Sequence, residues 1–338
     1  MDKRPTMSDV ARLAGVHKAT ASRALNPATS GQVNPATARR ILAVAKQLGY
    51  TPNTTARSLR TSRTLTVGVL IPDLTNPLFP PIVRGIENVL FPRGYTALVA
   101  NTDNDAEREA AHFDTLLGRQ VDGFILATGR RTHPLVQSAH DRGIATVLVN
   151  RGTDPPMFPL VTGDDTAGIT AVVDHLAELG HRRIAHLAGP VTLSTGHART
   201  KAYLNAVAAH GIPPSVVETS TYSAPAGFDA MRKVLDAADP LPTAVVAAND
   251  LIALGALRAI RAHGLSCPDD ISLTGFNDMP FLDELSPPLT SVRVPQYELG
   301  TESARLLLEQ MDGGPAVAKT LTLPVRLVLR GSTAPPSR

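Results

Sequence analysis

Between His17 and Asn26 the sequence sets Lys18, Thr20, Ser22 and Arg23 among alanines. Short hydroxyl side chains and two fixed positive charges at this spacing can donate hydrogen bonds to phosphate oxygens and to the edges of bases. A second polar set recurs further on, after apolar runs that read as strands. Asp73, Asn76 and Phe79 follow the first run, and Asn150 and Arg151 follow the fourth. Asp164 and Asp165, Arg199, Tyr222, Asn249-Asp250, Asn277-Asp278 and Gln296 continue the series. Asn, Asp and Arg with a few aromatic rings suit a polyhydroxylated ligand, whose hydroxyls need paired partners while its C–H face stacks on a ring. Taken singly, Asp165 and Asp250 also serve as helix caps, because both precede helices. Catalytic arrangements are missing from the pattern. His175, His181 and His186 have no metal-ligand spacing, and neither a Gly-x-Ser-x-Gly elbow nor a Walker loop is present. Gly163-Asp-Asp-Thr-Ala-Gly168 reads as a strand-to-helix turn. No enzyme, cofactor or metal site is expected.

The first set needs an element to hold it. Thr6 and Asp9 stand three apart, as in a capping box, ahead of Val10, Ala11, Leu13 and Ala14, which supply one face of a short helix. Gly15 stops that helix, since glycine takes the left-handed turn without steric cost. A second short helix from about His17 to Leu25 turns Ala21, Ala24 and Leu25 inward and leaves Lys18, Ala19, Thr20, Ser22, Arg23 and Asn26 outside. Two short helices about a glycine turn describe a helix-turn-helix whose second helix can enter a major groove.

Charge supports this. The overall balance is +3, but residues 1–63 hold eleven Lys or Arg against Asp2 and Asp9 alone. The remainder is net acidic, so positive charge is concentrated where a phosphate-backbone binder needs it. The 338 residues suffice for two or three domains. No apolar run approaches the roughly 18 residues of a membrane helix, and Met1-Asp-Lys-Arg-Pro5 leads into no apolar signal segment. Cys267 is the single cysteine. A reducing cytoplasm, with the protein on the nucleoid and not at a membrane, is the expected location.

A third helix follows, capped by Asn34 with Pro35 at its first position. Ile41, Leu42, Ala45 and Leu48 form its inward face, and Gly49 closes it. Pro52 and Asn53 then restart a helix of about seven residues, too short to stand alone in water. It is expected to order only when something holds it.

The succession of helix-turn-helix, Asn26, third helix, Gly49-Tyr50-Thr51-Pro52-Asn53 and Ala56-Arg57-Ser58-Leu59-Arg60 resembles the lactose/galactose repressor (LacI/GalR) family, over essentially the whole chain. The resemblance implies that residues 53–60 are a hinge helix pairing with its dimer mate in the minor groove, Leu59 wedging at the central base step beside Ala56. It implies that Lys18, Ala19 and Arg23 face base edges, with Thr20 and Ser22 nearer phosphates. The expected DNA-facing set is Thr6, Ser8, His17, Lys18, Ala19, Thr20, Ser22, Arg23, Asn26, Tyr50, Asn53, Ala56 and Leu59. His17 departs from the family's usual serine-like cap, which leaves cap, phosphate contact and base contact open.

From about Thr64 the pattern alternates. Strands are expected at Leu65–Ile71, Ala97–Asn101, Gly123–Ala127, Ala145–Asn150, Arg183–Ala188, Ala244–Ala247 and Ile271–Phe276, with helices between them. The chain then crosses back through Ser291–Val294 and a helix over Tyr297–Gln310, ending in strands near Lys319–Leu323 and Arg326–Leu329. Repeated βαβ units give two parallel sheets of five or six strands, matching the two-lobed periplasmic-binding-protein-like core of the same family. Ligands of such sheets bind beyond the carboxyl ends of the strands. The expected effector set is Asp73, Asn76, Phe79, Asn150, Arg199, Tyr222, Asn249, Asn277 and Gln296. By resemblance Arg199 and Asn249 fall at effector-clamping positions, Asn277 where the family often has Asp, and Tyr222 where it has a stacking aromatic.

The fold expected is therefore multidomain, an all-α head joined to a two-lobed α/β core. The head spans 1–50, the hinge 51–63 and the core 64–338. Within the core, one lobe takes about 64–162 and 293–322, the other about 163–292 and 323–331. The expected activity is operator-binding transcriptional regulation, probing a near-palindrome as a homodimer. Repression of carbohydrate genes under a small-molecule effector, a sugar by the pocket's chemistry, is the leading form. The carboxy-terminal stretch from Arg330 lacks the leucine heptads of tetrameric members, hence the dimer. The alternatives are a solute-binding protein without a DNA role and, behind it, a metabolic enzyme of the doubly wound class.

Overall fold

The computed structural model describes residues 5–25, 29–51, 63–237, 239–314 and 317–337. The chain divides into two compact units, Met1–Thr64 and Leu65–Arg338.

The first unit is built from α1 (Met7–Leu13), α2 (Lys18–Ala24) and α3 (Pro35–Gln47). The capping box forms: the Thr6 amide donates to Asp9 Oδ2 at 3.0 Å, and the Asp9 amide donates to Thr6 Oγ1 at 3.4 Å. The Thr6 hydroxyl and amide, with Arg12, hold the Asp9 carboxyl down at about 2. Gly15 takes φ +62°, and the Val16 amide donates back to Ala11 O at 3.0 Å, turning Val16 toward the core. Val10, Ala11, Ala14, Ala21, Ala24, Val33, Ile41 and Ala45 form that core. Leu13 and Leu42 do not join it, being more than half exposed. On a 3.6-residue period Val10 and Ala14 already define the inner stripe of α1, and Leu13 sits beside it facing out.

The second unit holds two six-stranded sheets. The first has the order β11-β5-β4-β3-β1-β2, with β1 (Thr66–Ile71), β2 (Thr96–Asn101), β3 (Gly123–Leu126), β4 (Thr146–Val149), β5 (Leu160–Gly163) and β11 (Thr320–Leu323), all parallel. The second runs β12-β10-β9-β8-β6-β7, with β6 (Ile184–Ala188), β7 (Val216–Glu218), β8 (Ala244–Ala247), β9 (Ser272–Asn277), β10 (Thr290–Arg293) and β12 (Arg326–Val328). Here β12 alone is antiparallel. Helices α4 (Phe79–Leu90), α5 (Ala106–Gly118), α6 (Pro134–Asp141) and α11 (Gln296–Met311) accompany the first sheet. Helices α7 (Asp165–Glu178), α8 (Ser194–Ala209), α9 (Ala224–Ala237) and α10 (Asp250–Ala262) accompany the second.

Central strands are buried on both faces, as crossover helices require. Val67, Val69, Leu70 and Ile71 of β1 are all inaccessible. Each such side chain contributes about 1.5–3 kcal/mol by leaving water. The chain crosses between lobes three times, and the crossings lie side by side, with Gly163 against both Val294 and Val325. Residues beyond Gly331 extend the second lobe past the expected end at 331. Ser332 is buried, its hydroxyl donating to Leu273 O at 2.6 Å and accepting from the Thr290 amide at 2.8 Å. Ala334 O accepts from Ser272 Oγ at 3.0 Å. Two strands, β5 and β7, were absent from the expected set; each is only three or four residues long.

Candidate functional site

In the head, α2 presents His17, Lys18, Ala19 and Arg23 to solvent, with Thr20 and Ser22 half-buried beside them. His17 is the helix cap: its Nδ1 accepts from the Ala19 amide at 3.3 Å. One nitrogen is thus used locally, and the ring edge stays exposed. Thr6 and Ser8 are exposed at the start of α1, and Tyr50 packs half-buried against the head's core. Asn26, Asn53, Ala56 and Leu59 lie outside the described residues.

In the core, the second lobe builds a clamp around Arg199, on the second turn of α8. Its Nε donates to Asp165 Oδ1 at 2.7 Å, its Nη1 to Ala248 O at 2.6 Å, and its Cζ lies 3.8 Å from the centre of the Phe276 ring. Burial raises the Asp165 carboxyl above its ordinary range, and Arg199 opposes that rise. Neither Asp165 nor Asp250 is the cap of its helix. That task falls one residue earlier, to Asp164 and Asn249, whose side chains accept from the Ala167 and Ile252 amides at 2.8 Å each. Asp250 instead ties two later segments together. The Met279 amide donates to its Oδ2 at 2.9 Å and Ser291 Oγ to its Oδ1 at 2.6 Å. Burial pushes this carboxyl up to about 7.

Asn277 ends β9 at φ +113°, a region costly for most side chains. It is buried, its Oδ1 has no hydrogen-bond partner, and its backbone carbonyl accepts from Gln296 Nε2 at 2.9 Å. Tyr222 lies over Gly189, where a Cβ would stand 2.3 Å from its Cζ, so only glycine lets the ring settle there. The Tyr222 hydroxyl meets Thr195 Oγ1 at 3.1 Å.

The first lobe contributes Asn150, buried at φ +65°, and Arg151 after it. The Arg151 guanidinium stands 5.7 Å from the centre of the Tyr222 ring in the other lobe. Two hydrogen bonds also join the lobes: the Arg131 amide to Thr192 O and the Gly152 amide to Ser194 Oγ, both at 2.9 Å. Behind Arg151 lies a buried pair, Glu109 and His133, with half-buried Arg130 beside it, which the strand-end pattern did not flag. Glu109 Oε2 is 3.2 Å from His133 Nε2 and 3.8 Å from Arg130 Nη2. Glu109 Oε1, His133 Nδ1, Thr128 Oγ1 and Arg151 Nε are all buried without a hydrogen-bond partner. Buried polar atoms are rarely left so, which makes these four the first lobe's candidates for contact with a polar ligand.

The remaining expected residues are less open. Asp73 Oδ1 accepts from the amide and hydroxyl of Thr75, at 2.8 and 2.6 Å, within its own turn. Asn76 Oδ1 accepts from the Leu78 amide at 3.1 Å. Phe79, first residue of α4, is wholly buried in the main core cluster with Ile82, Ile86 and Leu90.

Residues 6–53 match the family model described as bacterial regulatory proteins, lacI family, and residues 173–333 match a periplasmic binding protein-like domain. The HTH-type transcriptional repressor CytR of Escherichia coli (strain K12) is 34% identical over 331 residues, covering 97% of this chain and 96% of that protein. The chain belongs to the LacI family. Like its relatives, this LacI-family protein is a DNA-binding transcriptional regulator. A lac repressor dimer solved with operator and the anti-inducer ONPF superposes with a TM-score of 0.86 at 29% identity, covering 98% of this chain and all of that one. A complex of the transcriptional regulator CelR with cellobiose gives 0.72 at 34% identity, covering 97% and 100%. This LacI-family chain therefore carries both parts that its relatives have, the reading head and the two-lobed core. Among the described residues no helix is long and apolar enough to cross a membrane, and no cluster of His, Cys, Asp and Glu is arranged for a metal.

Proposed function

We propose that this chain acts in the cytoplasm, on the nucleoid, as a homodimeric repressor of carbohydrate-utilisation genes. Its affinity for a near-palindromic operator is set by a small polyhydroxylated ligand held between the two lobes of the core. Lys18, Ala19 and Arg23 read base edges, while Thr20 and Ser22 hold phosphates. Two heads of a dimer then address two half-sites one helical turn apart. Arg199, Tyr222, Asn150, Asn249, Asn277 and Gln296 surround the ligand, with Asp73, Asn76 and Phe79 behind them. The hinge at Ala56 and Leu59 links the two events: ligand contacts favour one arrangement of the lobes, and only one arrangement lets two hinges pair on DNA. Such a ligand acts solely through its different affinities for the two states.

The observation that carries this reading is the set of buried, partnerless polar atoms beside Arg151, in the lobe that faces the Arg199 clamp, in a chain whose head exposes a basic helix edge. The lac repressor and CelR structures support it, since one was solved with operator and anti-inducer and the other with cellobiose. The test is selection of duplexes from a random pool by the full-length protein. A near-palindrome should emerge, and Arg23→Ala should relax its preference at one position in each half-site by about tenfold or more. Enrichment of no sequence would sink the reading.

A further inference from the structure

The charges in the cleft do not balance. Arg199 has Asp165 at 2.7 Å, and Arg130 has Glu109 at 3.8 Å, which Glu109 shares with His133. Asp250 is engaged by Ser291 and Met279. Arg151 is left over. It is only 5% exposed, its Nε has no hydrogen-bond partner, its guanidinium faces the Tyr222 ring at 5.7 Å, and the one carboxylate that acts on it, Glu109, is shared with His133 and Arg130. Burial lowers its pKa to about 10. Tyr222 opposes that fall, Arg199 and Arg130 add to it, and Glu109 opposes it weakly.

A guanidinium in a dry site without a carboxylate of its own is costly, and such charges are retained where something outside the protein pairs with them. Its planar fork fits two oxygens of a carboxylate or a phosphate better than it fits single hydroxyls. Its position is also that of a lobe-to-lobe contact. Arg151 rises from the first lobe, immediately before the Gly152 amide that bonds Ser194 of the second, and it faces Tyr222. A group bound there touches both lobes at once.

We infer that the ligand of this cleft is a polyhydroxylated anion, a sugar bearing a carboxylate or a phosphate, and that Arg151 takes the anionic group while Arg199 and its neighbours take the hydroxyls. This rests on the ligand-cleft reading above and narrows its ligand class. The partnerless atoms Thr128 Oγ1, Glu109 Oε1 and Asn277 Oδ1 are then left for the hydroxyls of the same molecule.

The test is a thermal-shift and calorimetric comparison on the full chain and on Arg151→Met, at constant ionic strength. The probes are glucose, cellobiose and ribose as neutral sugars, gluconate and glucuronate as carboxylates, glucose 6-phosphate and ribose 5-phosphate as phosphates, and inorganic phosphate. The expected result has three parts. At least one sugar anion raises the melting midpoint of the parent chain. Its neutral counterpart binds at least tenfold more weakly, and Arg151→Met removes that preference. Without ligand Arg151→Met should melt about 2–4 °C higher, because an uncompensated buried charge is gone. Carboxylate and phosphate arms tell the two sources apart. Equal or better binding of neutral sugars, unchanged by Arg151→Met, overturns the inference and leaves the ligand cleft standing. No stabilisation by any anion, together with an Arg151→Met chain that melts no higher, also overturns it and makes Arg151 a lobe-to-lobe strut. Anion binding through Arg151 that leaves DNA affinity unaltered keeps the anion site and removes the regulatory reading.

Discussion

In the second lobe Arg199 reaches the cleft already engaged, by Asp165, by Ala248 O and by the Phe276 ring. In the first lobe Arg151 arrives with its Nε unpartnered, beside Glu109, His133 and Thr128, each with a polar atom in the same condition. The two sheets share a strand order, differing in the direction of one edge strand. Yet the arginine of one lobe is held by partners of its own and that of the other is not, although Asn277 Oδ1, Thr200 Oγ1 and His186 Nε2 of the second lobe also lack a partner. A completed network fixes geometry before a ligand arrives, which spares the ligand that ordering cost. An incomplete one gains most from the ligand, because each buried donor or acceptor recovers a missing partner. The comparison makes the second lobe the template and the first the discriminator.

The largest expected effect falls on the template. Arg199→Ala strands Asp165 without its counter-charge, and breaking a buried pair in this way costs about 3–5 kcal/mol. Denaturant unfolding should report that loss, with ligand response gone and the head's duplex binding retained in whatever fraction stays folded. A loss below about 1 kcal/mol would mean that the second lobe is no better built than the first.

The next concerns pH. Burial holds the Asp250 carboxyl at about 7 in the folded chain, against an ordinary 3.8. Between those values the folded chain keeps a proton that the unfolded chain has released, so stability falls as pH rises from about 4 to about 7 and levels off above. The Asp165 carboxyl, also raised by burial, adds in the same direction. Asp250→Asn, which cannot ionise, should flatten part of that slope in unfolding midpoints taken from pH 5 to 8. An unchanged slope would remove Asp250 from the account.

The smallest effect belongs to the discriminator. Thr128→Val deletes a hydroxyl that has no partner, so stability should stay within about 0.5 kcal/mol of the parent. Ligand affinity should nonetheless drop severalfold by calorimetry. A stability loss above about 1 kcal/mol would show that the first lobe satisfies Thr128 by itself.

The same contrast governs what could be read from the sequence. Arg199, Tyr222, Asn249 and Asn277 stand beyond strand ends or near the start of a helix, so their places follow from the βαβ rule. The capping box at Thr6 and Asp9 and the turn at Gly15 follow from local chemistry, and both form as spaced. Glu109 and His133 were invisible, because they lie 24 residues apart, one on the inner side of α5 and one just ahead of α6, and meet only through packing. Strands β5 and β7 escaped because pairing with β4 and β6, not their own composition, makes them strands. The tail beyond Gly331 escaped for a like reason: Ser332 and Ala334 are held by partners near 180, 272 and 290. Leu13 and Leu42 show the opposite failure, apolar residues that one stripe of a small head leaves outside.

The central claim is that cleft and duplex are coupled through two states of one chain. It is tested most directly by measuring both affinities on the same protein. Using the selected duplex and the best-binding sugar of the panel, duplex affinity is titrated with and without ligand, and ligand affinity with and without duplex. The account predicts the same factor in both directions, about 5–150-fold. Ligand affinity that is indifferent to a saturating duplex would contradict it.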